Sequence, residues 1–525
     1  AELRKAAGWS HLLRESGRYP LTGRGDINTY AVFAETARTV INAKGRSGLV
    51  LPTGIATDAT TAPFFGRLVR NGKLVSFLDF ENEAFLLSHA VDHRVRFCLL
   101  TVCGAATRVD LASFAFGTRY IQDLPARRFA MPPEEILLVN PNTGTTPVFR
   151  SRRDAEITIG IYKRVPVLWR DDPEENPWGI SFMRMLDMAN DSGLFRTHDQ
   201  LERDGWTLTG NVFMRGSERM LPLYEAKMIH HFDHRLGTYH GQTDAQANMG
   251  TLPRLTPEQQ DDPDFVVMPR YWVQDFDTLN KQKSKPNKPV HDHGVASRLE
   301  AKHWDRGWLL GWRDVCRSTD ERTVICGVLP RAAVGHTYPL MLSKAAHIDC
   351  LYANLTSFVL DYVARQKLAG THLTYGYLNQ LPILPPGAYG APAPWLSDAM
   401  PADWIRQRVL ELSFTAWGME AFARDLGDDG PPFRWSEGHR NPIRAELDAA
   451  YFHLYGLERD EVEHVMGSFD ALRRREERPQ NFGEFRTKRL ILERYDAMAE
   501  AIRTGEPYQT VLDPPAGYGP RHPAR

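Results

Sequence analysis

The sequence is poor in cysteine and has no long apolar run, and each shortage excludes a class of protein. Only five cysteines occur in 525 residues: Cys98, Cys103, Cys316, Cys326 and Cys350, with no C-x-x-C pair among them. An odd, scattered set supports neither a disulfide framework nor a structural zinc site, and it predicts reduced thiols in a cytoplasmic protein. No stretch approaches the roughly 18–20 apolar residues needed to cross a bilayer, so no membrane partner is expected. The N-terminus AELRKAAGWSHLL is short and amphipathic and is not followed by a small-residue cleavage site, unlike a secretory leader. It opens on Ala1, which suggests a start inside a longer protein. An excess of one charge is also missing: 64 basic residues stand against 65 acidic ones, a formal net charge of −1. That balance leaves nucleic-acid binding to local clustering. No G-x-x-x-x-G-K-[ST] loop is present, which excludes nucleotide hydrolysis by that route. No Asp followed by a spaced Glu-x-Lys marks a nuclease core.

What is present is an ordinary globular composition, 42% hydrophobic and 25% charged. The length suggests two to four domains. Residues 26–43 carry Ile27, Tyr30, Ala31, Phe33, Ala34, Ala37, Val40 and Ile41 at helical spacing, with Asp26 as a candidate N-cap and Gly45 as a stop. Strands follow at Gly48–Pro52, Leu74–Phe80 and Arg94–Val102, with a helix over Ala62–Arg70. That alternation predicts an α/β sheet covered on both faces, too short at about 105 residues to be a complete doubly wound domain. NPNTGTTP at 140–147 reads as turns, followed by the basic FRSRRD. Residues 166–400 predict an irregular α/β domain, with an exposed lysine-rich loop at 274–294 and a Pro/Gly/Ala linker at 387–394. Residues 401–506 read as helices, and the Pro/Gly-rich tail from Pro507 as frayed.

Several blocks stand in a telling order: GRGDINTYAVFAE, GRSGLVLPTGIATD, LVSFLDFEN and VDHRVRFCLLTV. In that order they resemble the second half of the catalytic domain of N6-adenine DNA methyltransferases, of the type IIG-like and phage-defence kind. The family's D-x-x-x-x-F helix is matched within Asp26 to Phe33, and its glycine-led strand by Gly45 to Pro52. The resemblance continues through LPLYEAKMIHHFDHR (221–235), the block 304–339 and LYANLTSFVLDYVARQKLAGTHLTYGYLNQLPIL (351–384), which look like the family's target-recognition region. LDAAYFHLYGL (447–457) and FRTKRLILERYDAM (485–498) look like its C-terminal helices. The resemblance implies a partial Rossmann-like methyltransferase sheet in 1–105, a mixed α/β target-recognition domain in 106–390, and a helical C-terminal region with a flexible tail in 391–525.

The family's cofactor loop and its Asn-Pro-Pro-aromatic turn have no counterpart. Asn140-Pro141-Asn142-Thr143 has the wrong third and fourth residues, and Asp513-Pro514-Pro515-Ala516 has Ala where an aromatic is required; both are simpler as turns. No catalytic or cofactor-binding residue is therefore assigned in this chain. S-adenosylmethionine is expected in the intact enzyme, with its site on a missing N-terminal half on the same or a separate chain, and this chain alone is expected to be inactive. A base must leave the duplex to be methylated. The family places an aromatic before its last strand pair to stack on that base. Where its usual Phe-Pro would fall stands Ser88-His89, and Phe85 is the nearest aromatic, a stacking candidate that reads equally well as core.

The expected partner is double-stranded DNA. Lys227, Arg235, Arg313, Arg322, Arg365, Lys367 and His372 lie in the family-like blocks and could grip phosphates or guanine edges, while Gln366 and Asn379 could read adenine. Each also reads as a solvated or salt-bridged surface residue. His230-His231 with His234, and His291-x-His293, have metal-like spacing; the first set reads as structural or DNA-facing and the second lies in a lysine-rich loop with no Cys or carboxylate cluster, so no metal is expected. The resulting expectation is the recognition half of a restriction–modification or phage-defence adenine methyltransferase. A fragment of a bifunctional type IIG restriction enzyme with an upstream nuclease is an alternative. A non-catalytic DNA-binding or assembly subunit of a BREX- or DISARM-like complex is another.

Overall fold

The computed structural model describes residues 2–86, 89, 91–279, 291–368, 370–396 and 399–525. The chain divides into two compact units. The first comprises 1–175 with 363–370 and 376–382, and the second comprises 176–362 with 371–375 and 383–525.

In the first unit, α1 (Glu2–Glu15) and α2 (Thr29–Val40) precede β1 (Arg46–Pro52), α3 (Ala62–Arg70), β2 (Leu74–Glu81), β3 (Arg96–Cys103), β4 (Ala112–Thr118) and β5 (Phe129–Met131). α4 (Pro133–Val139) and α5 (Arg152–Arg164) follow. Helix α2 begins at Thr29 with Asn28 as its cap position, two residues later than Asp26 suggests, and Asn28 does not cap it through its side chain. α3 buries Phe64, Phe65, Leu68 and Val69, each worth roughly 1.5–3 kcal/mol on leaving water. α5 was not foreseen within the basic FRSRRD segment; Ser151 caps it by accepting the Asp154 N–H at 3.1 Å.

The strands form one sheet in the order β1-β3-β2-β4-β5. β3 runs antiparallel to both neighbours, and β2 and β4 are parallel. The helix–strand alternation in the sequence left the direction of β3 open. Parallel neighbours need a long crossover, whereas the chain between β2 and β3 has only a 3-10 turn at Asn82–Ala84 among its described residues. The chain therefore returns antiparallel. One face is filled by Phe65, Phe77, Phe114, Phe116, Phe129 and Phe149, with ring centroids 5.8–6.4 Å apart. The other face is partly bare. Val50 and Leu99 are cross-strand partners that both remain exposed, and Leu99 also faces Leu78.

The second unit is a mixed α/β body of short strands. β6 (Ser181–Met183) joins β11 (Trp308–Trp312), β12 (Cys326–Pro330) and β14 (Leu340–Leu342) in the order β12-β11-β14-β6. β7 (Thr207–Thr209), β8 (Val212–Arg215), β9 (Glu218–Tyr224) and β10 (Trp272–Gln274) form a meander over Leu201, Trp206, Phe213, Met220 and Trp272, and β13 (Ala333–Val334) pairs with β9. Gly311 on β11 is required by a close approach: a Cβ there would lie 2.6 Å from the Pro339 carbonyl oxygen. Its helices include α6 (Ile348–Thr356), α7 (Pro401–Ser413), α8 (Glu437–Leu454), α9 (Arg459–Gly467), α10 (Asp470–Glu476) and α11 (Arg486–Thr504).

Two expectations are corrected here. The 387–394 linker is packed, with Tyr389 and Ala393 buried, and the tail from Pro507 is anchored by buried Tyr508, Leu512, Ala516 and His522. Apolar side chains spaced along an irregular segment suffice to hold it without regular structure. Of the lysine-rich segment 274–294, residues 280–290 lie outside the described residues; its ends pair as Thr278–Leu279 with His291–Asp292. No described helix is long and apolar enough to cross a membrane.

Candidate functional site

At the end of β1 the chain turns through Thr53 and Gly54 into a single helical turn. A Cβ on Gly54 would collide with the Asp58 carboxylate and lie 3.1 Å from the Tyr30 hydroxyl, so glycine is what lets these groups converge. Burial, then Asp58, then Cys98 raise the Tyr30 phenol above its ordinary value. Leu51, Cys98 and Asp79 lie in one row across β1, β3 and β2. The Asp79 carboxylate is fully buried. It accepts from the Thr53 hydroxyl at 2.7 Å, from the Gly117 N–H at 2.9 Å and from the Arg96 guanidinium. Three donors occupy it, so it is a pivot tying three strand ends together and not a free base. Burial, with Asp79 next, pushes the Cys98 thiol up, which makes it inert.

Beyond β2, buried Asn82 donates to the carbonyls of Val91 and Asp92 at 3.3 and 3.4 Å and so pins the returning segment. Between these anchors Phe85 adopts φ +53°, the left-handed region that bulky residues avoid. Its ring is 37% exposed and stacks on His89 at 4.8 Å. Phe85 is thus presented at the rim of the sheet with part of its surface open. Ser88 lies outside the described residues.

The nine DNA-contact candidates separate by exposure. Lys227 is part-exposed, 3.7 Å from Glu225 and 4.9 Å from the Tyr239 ring, and His372 is exposed, 2.9 Å from Asp314. The others are wholly or largely withdrawn from the surface. Arg235 donates to the carbonyls of Asp262, Phe265, Gln260 and Thr415 at 2.7–3.3 Å. Arg313 binds the Ile229 carbonyl, and burial pushes its guanidinium down to about 10. Arg322 pairs with buried Asp361 at 2.6 Å and donates to the Thr356 carbonyl at 2.6 Å. Arg365 and Gln366 are buried. Lys367 is buried with its ammonium on the Val139 carbonyl at 2.7 Å, the Tyr162 hydroxyl at 2.6 Å and the Gln380 carbonyl. Asn379 is half-buried and its side-chain oxygen has no hydrogen-bond partner among the described residues. In this conformation the buried groups are engaged by protein carbonyls and carboxylates and hold the fold.

Both sequence decoys for a catalytic turn are structural. The Asn140 amide donates to the Thr145 carbonyl of its own turn at 2.8 Å, and Ala516 is buried in the packed tail. His230, His231 and His234 are held well below their ordinary pKa by burial. Among the described residues no group of three or more His, Cys, Asp or Glu is arranged to hold a metal ion. All five cysteines are free and buried. A cavity beside His230 and His231 had no sequence signal beyond the histidine pair itself.

No protein-family profile matches the chain, and no curated protein resembles it in sequence. Among solved structures it is similar to the type IIL restriction-modification enzyme MmeI in complex with DNA, at 11% identity and a TM-score of 0.38 over 85% of this chain and 52% of that one. It is also similar to the type IIG restriction endonuclease BpuSI, at 10% identity and a TM-score of 0.27 over 94% of this chain and 52% of that one. The chain thus spans about half the length of either structure.

Proposed function

We propose that this chain is the DNA-recognition half of a site-specific DNA methyltransferase that moves a methyl group from S-adenosylmethionine to adenine N6 in a restriction–modification or phage-defence system. The observation that carries the reading is the β1 side of the first unit's sheet. Among the described residues β1 has a strand on one side only, and Val50 and Leu99 lie uncovered on the adjoining face. An edge with unpaired N–H and C=O groups beside bare apolar side chains is completed when further strands are added. The cofactor-binding half would supply them.

S-adenosylmethionine supplies the methyl group. No residue of this chain is assigned to it, because the family's cofactor loop has no counterpart in the sequence. In this reading Phe85 stacks on the extruded adenine, since its strained backbone holds the ring open at the sheet rim. Lys227 and His372 are the candidates for phosphate contact, being the ones that keep exposure.

The test is transfer of labelled methyl to adenine in unmethylated plasmid DNA, by this chain alone and by the chain joined to the polypeptide encoded upstream of it. Label at N6 only from the joined protein is the expected result. Label from this chain alone, or none from the joined protein, overturns the reading.

A further inference from the structure

In the second unit a cavity of ≈ 370 Å³ opens among α6, α8, α10, α11 and the turn at His230. That volume falls in the range of small-ligand sites, roughly 300–1,000 Å³. Its apolar wall is formed by Phe358, Tyr451 and Ile491. In the cavity lining lies His231, 6% exposed, and neither of its ring nitrogens has a hydrogen-bond partner among the described residues. A buried imidazole with both nitrogens bare is unusual, because native interiors satisfy nearly all such groups.

The arginines around it differ in how far they are neutralised. Arg322 is matched by Asp361 at 2.6 Å and Arg475 by Glu321 at 2.7 Å. Arg444 reaches its Glu437 partner only at 3.9 Å, and its buried Nε has no acceptor among the described residues. Arg486 rests 4.8 Å over the Phe482 ring and makes no ion pair among the described residues. The lining carboxylates oppose this charge weakly: Glu476 holds the Thr487 hydroxyl and N–H at 2.6 and 2.9 Å, and burial pushes Asp448 up to about 7. Arg444 and Arg486 are therefore the lining guanidinium groups with the least direct compensation. Burial first, and then arginines that include Arg322 and Arg444, hold His230 and His231 well below their ordinary pKa.

We propose that this cavity binds a nucleoside monophosphate, with its phosphate on Arg444 and Arg486 and its base edge on His231. Guanidinium groups grip phosphate through paired N–H donors. A neutral imidazole offers one donor and one acceptor, the pattern that complements a base edge. The aromatic wall suits the flat face of a base.

The experiment is titration calorimetry of the full chain with AMP, GMP, CMP and UMP, and with adenosine and inorganic phosphate as probes of the two halves of the ligand. At least one monophosphate binds, more tightly than either half, and Arg444→Gln and Arg486→Gln each weaken it by about tenfold. His231→Gln alters the preference among bases. Arg486 lies near the surface, so its substitution tests the proposal even if the buried His231 variant fails to fold. The proposal is overturned by any of four results: no binding of any monophosphate up to about 1 mM, unchanged affinity in both arginine variants, inorganic phosphate binding as tightly as the monophosphates, or displacement of the nucleotide by duplex DNA.

Discussion

Glu446 is the group on which the C-terminal tail hangs, and its removal has a calculable consequence. The carboxylate is fully buried on α8. One oxygen accepts from Nε and Nη2 of Arg408 at 2.9 and 2.5 Å; the other accepts from the Tyr508 hydroxyl at 2.8 Å and from the Thr510 hydroxyl. Arg408 is itself buried and lies 3.3 Å from the Trp404 ring centroid, so it has no route to water. Glu446→Ala leaves a guanidinium in the interior without a counter-ion, which costs about 3–5 kcal/mol. Tyr508→Phe removes one hydrogen bond to a charged acceptor, about 1.5–3 kcal/mol. Arg503→Ala, on the exposed Arg503–Glu500 pair, changes nothing measurable. Urea unfolding followed by tryptophan fluorescence gives the order of the three. Limited proteolysis reports the tail, which both interior variants release and Arg503→Ala does not. The double variant Arg408→Met, Glu446→Leu is less damaged than Glu446→Ala, because no charge is stranded. A Glu446→Ala protein with the parental midpoint and a protected tail would refute this account.

Two further substitutions test buried titratable groups. Burial raises the Asp448 carboxyl to about 7, so the folded state holds its proton more tightly than the unfolded chain. Stability from this group is therefore greatest at low pH, falls as pH rises from roughly 4 to 7, and is level above that. Asp448→Asn removes the penalty and is more stable than the parent at about pH 8, by about 4 kcal/mol at most, with the gap shrinking toward pH 5. Urea midpoints at the two pH values measure it, and an equal gap at both contradicts it. Lys367→Ala strips the donor from two carbonyls and a tyrosine hydroxyl and opens a cavity; a loss of about 2–5 kcal/mol is expected. Faster amide exchange in α5, which carries Tyr162, reads it out, and unchanged protection counts against it.

The first hundred residues were legible because period-3.6 and period-2 apolar patterns coincide there with glycine stops. The direction of β3 was not, since it depends on what the connection at 82–95 does and not on the strand's own composition. Three short helices of the second unit carry their start signal in the sequence itself. Thr197-x-x-Gln200, Thr243-x-x-Gln246 and Thr256-x-x-Gln259 each form a reciprocal capping box. The packed tail was hidden by its Pro and Gly content, although Tyr508, Leu512 and Ala516 were apolar points of attachment. Phe85 could be named from its place in the motif order, but its positive φ, at the end of the 3-10 turn that begins at Asn82, has no local sequence mark.

The burial of so many basic residues has a physical origin that one substitution can expose. The second unit is built from strands of two to seven residues, so many loop carbonyls find no partner in a sheet ladder. Guanidinium groups fill that role: Arg235 spans four carbonyls from two separate segments, and Arg440 bridges the Leu412 and Phe232 carbonyls at 2.7 and 2.9 Å. Burial lowers the Arg235 guanidinium below its ordinary value, the cost of that placement. Arg235→Lys keeps the charge but replaces a planar fork with a compact ammonium that cannot reach both sets of carbonyls. Two or more buried acceptors lose their donors, at about 1–3 kcal/mol each. The variant is therefore destabilised in urea, while duplex-DNA affinity per folded molecule stays at the parental value. Parental stability with weakened DNA binding would return Arg235 to the surface and restore the reading of its block as a contact strip.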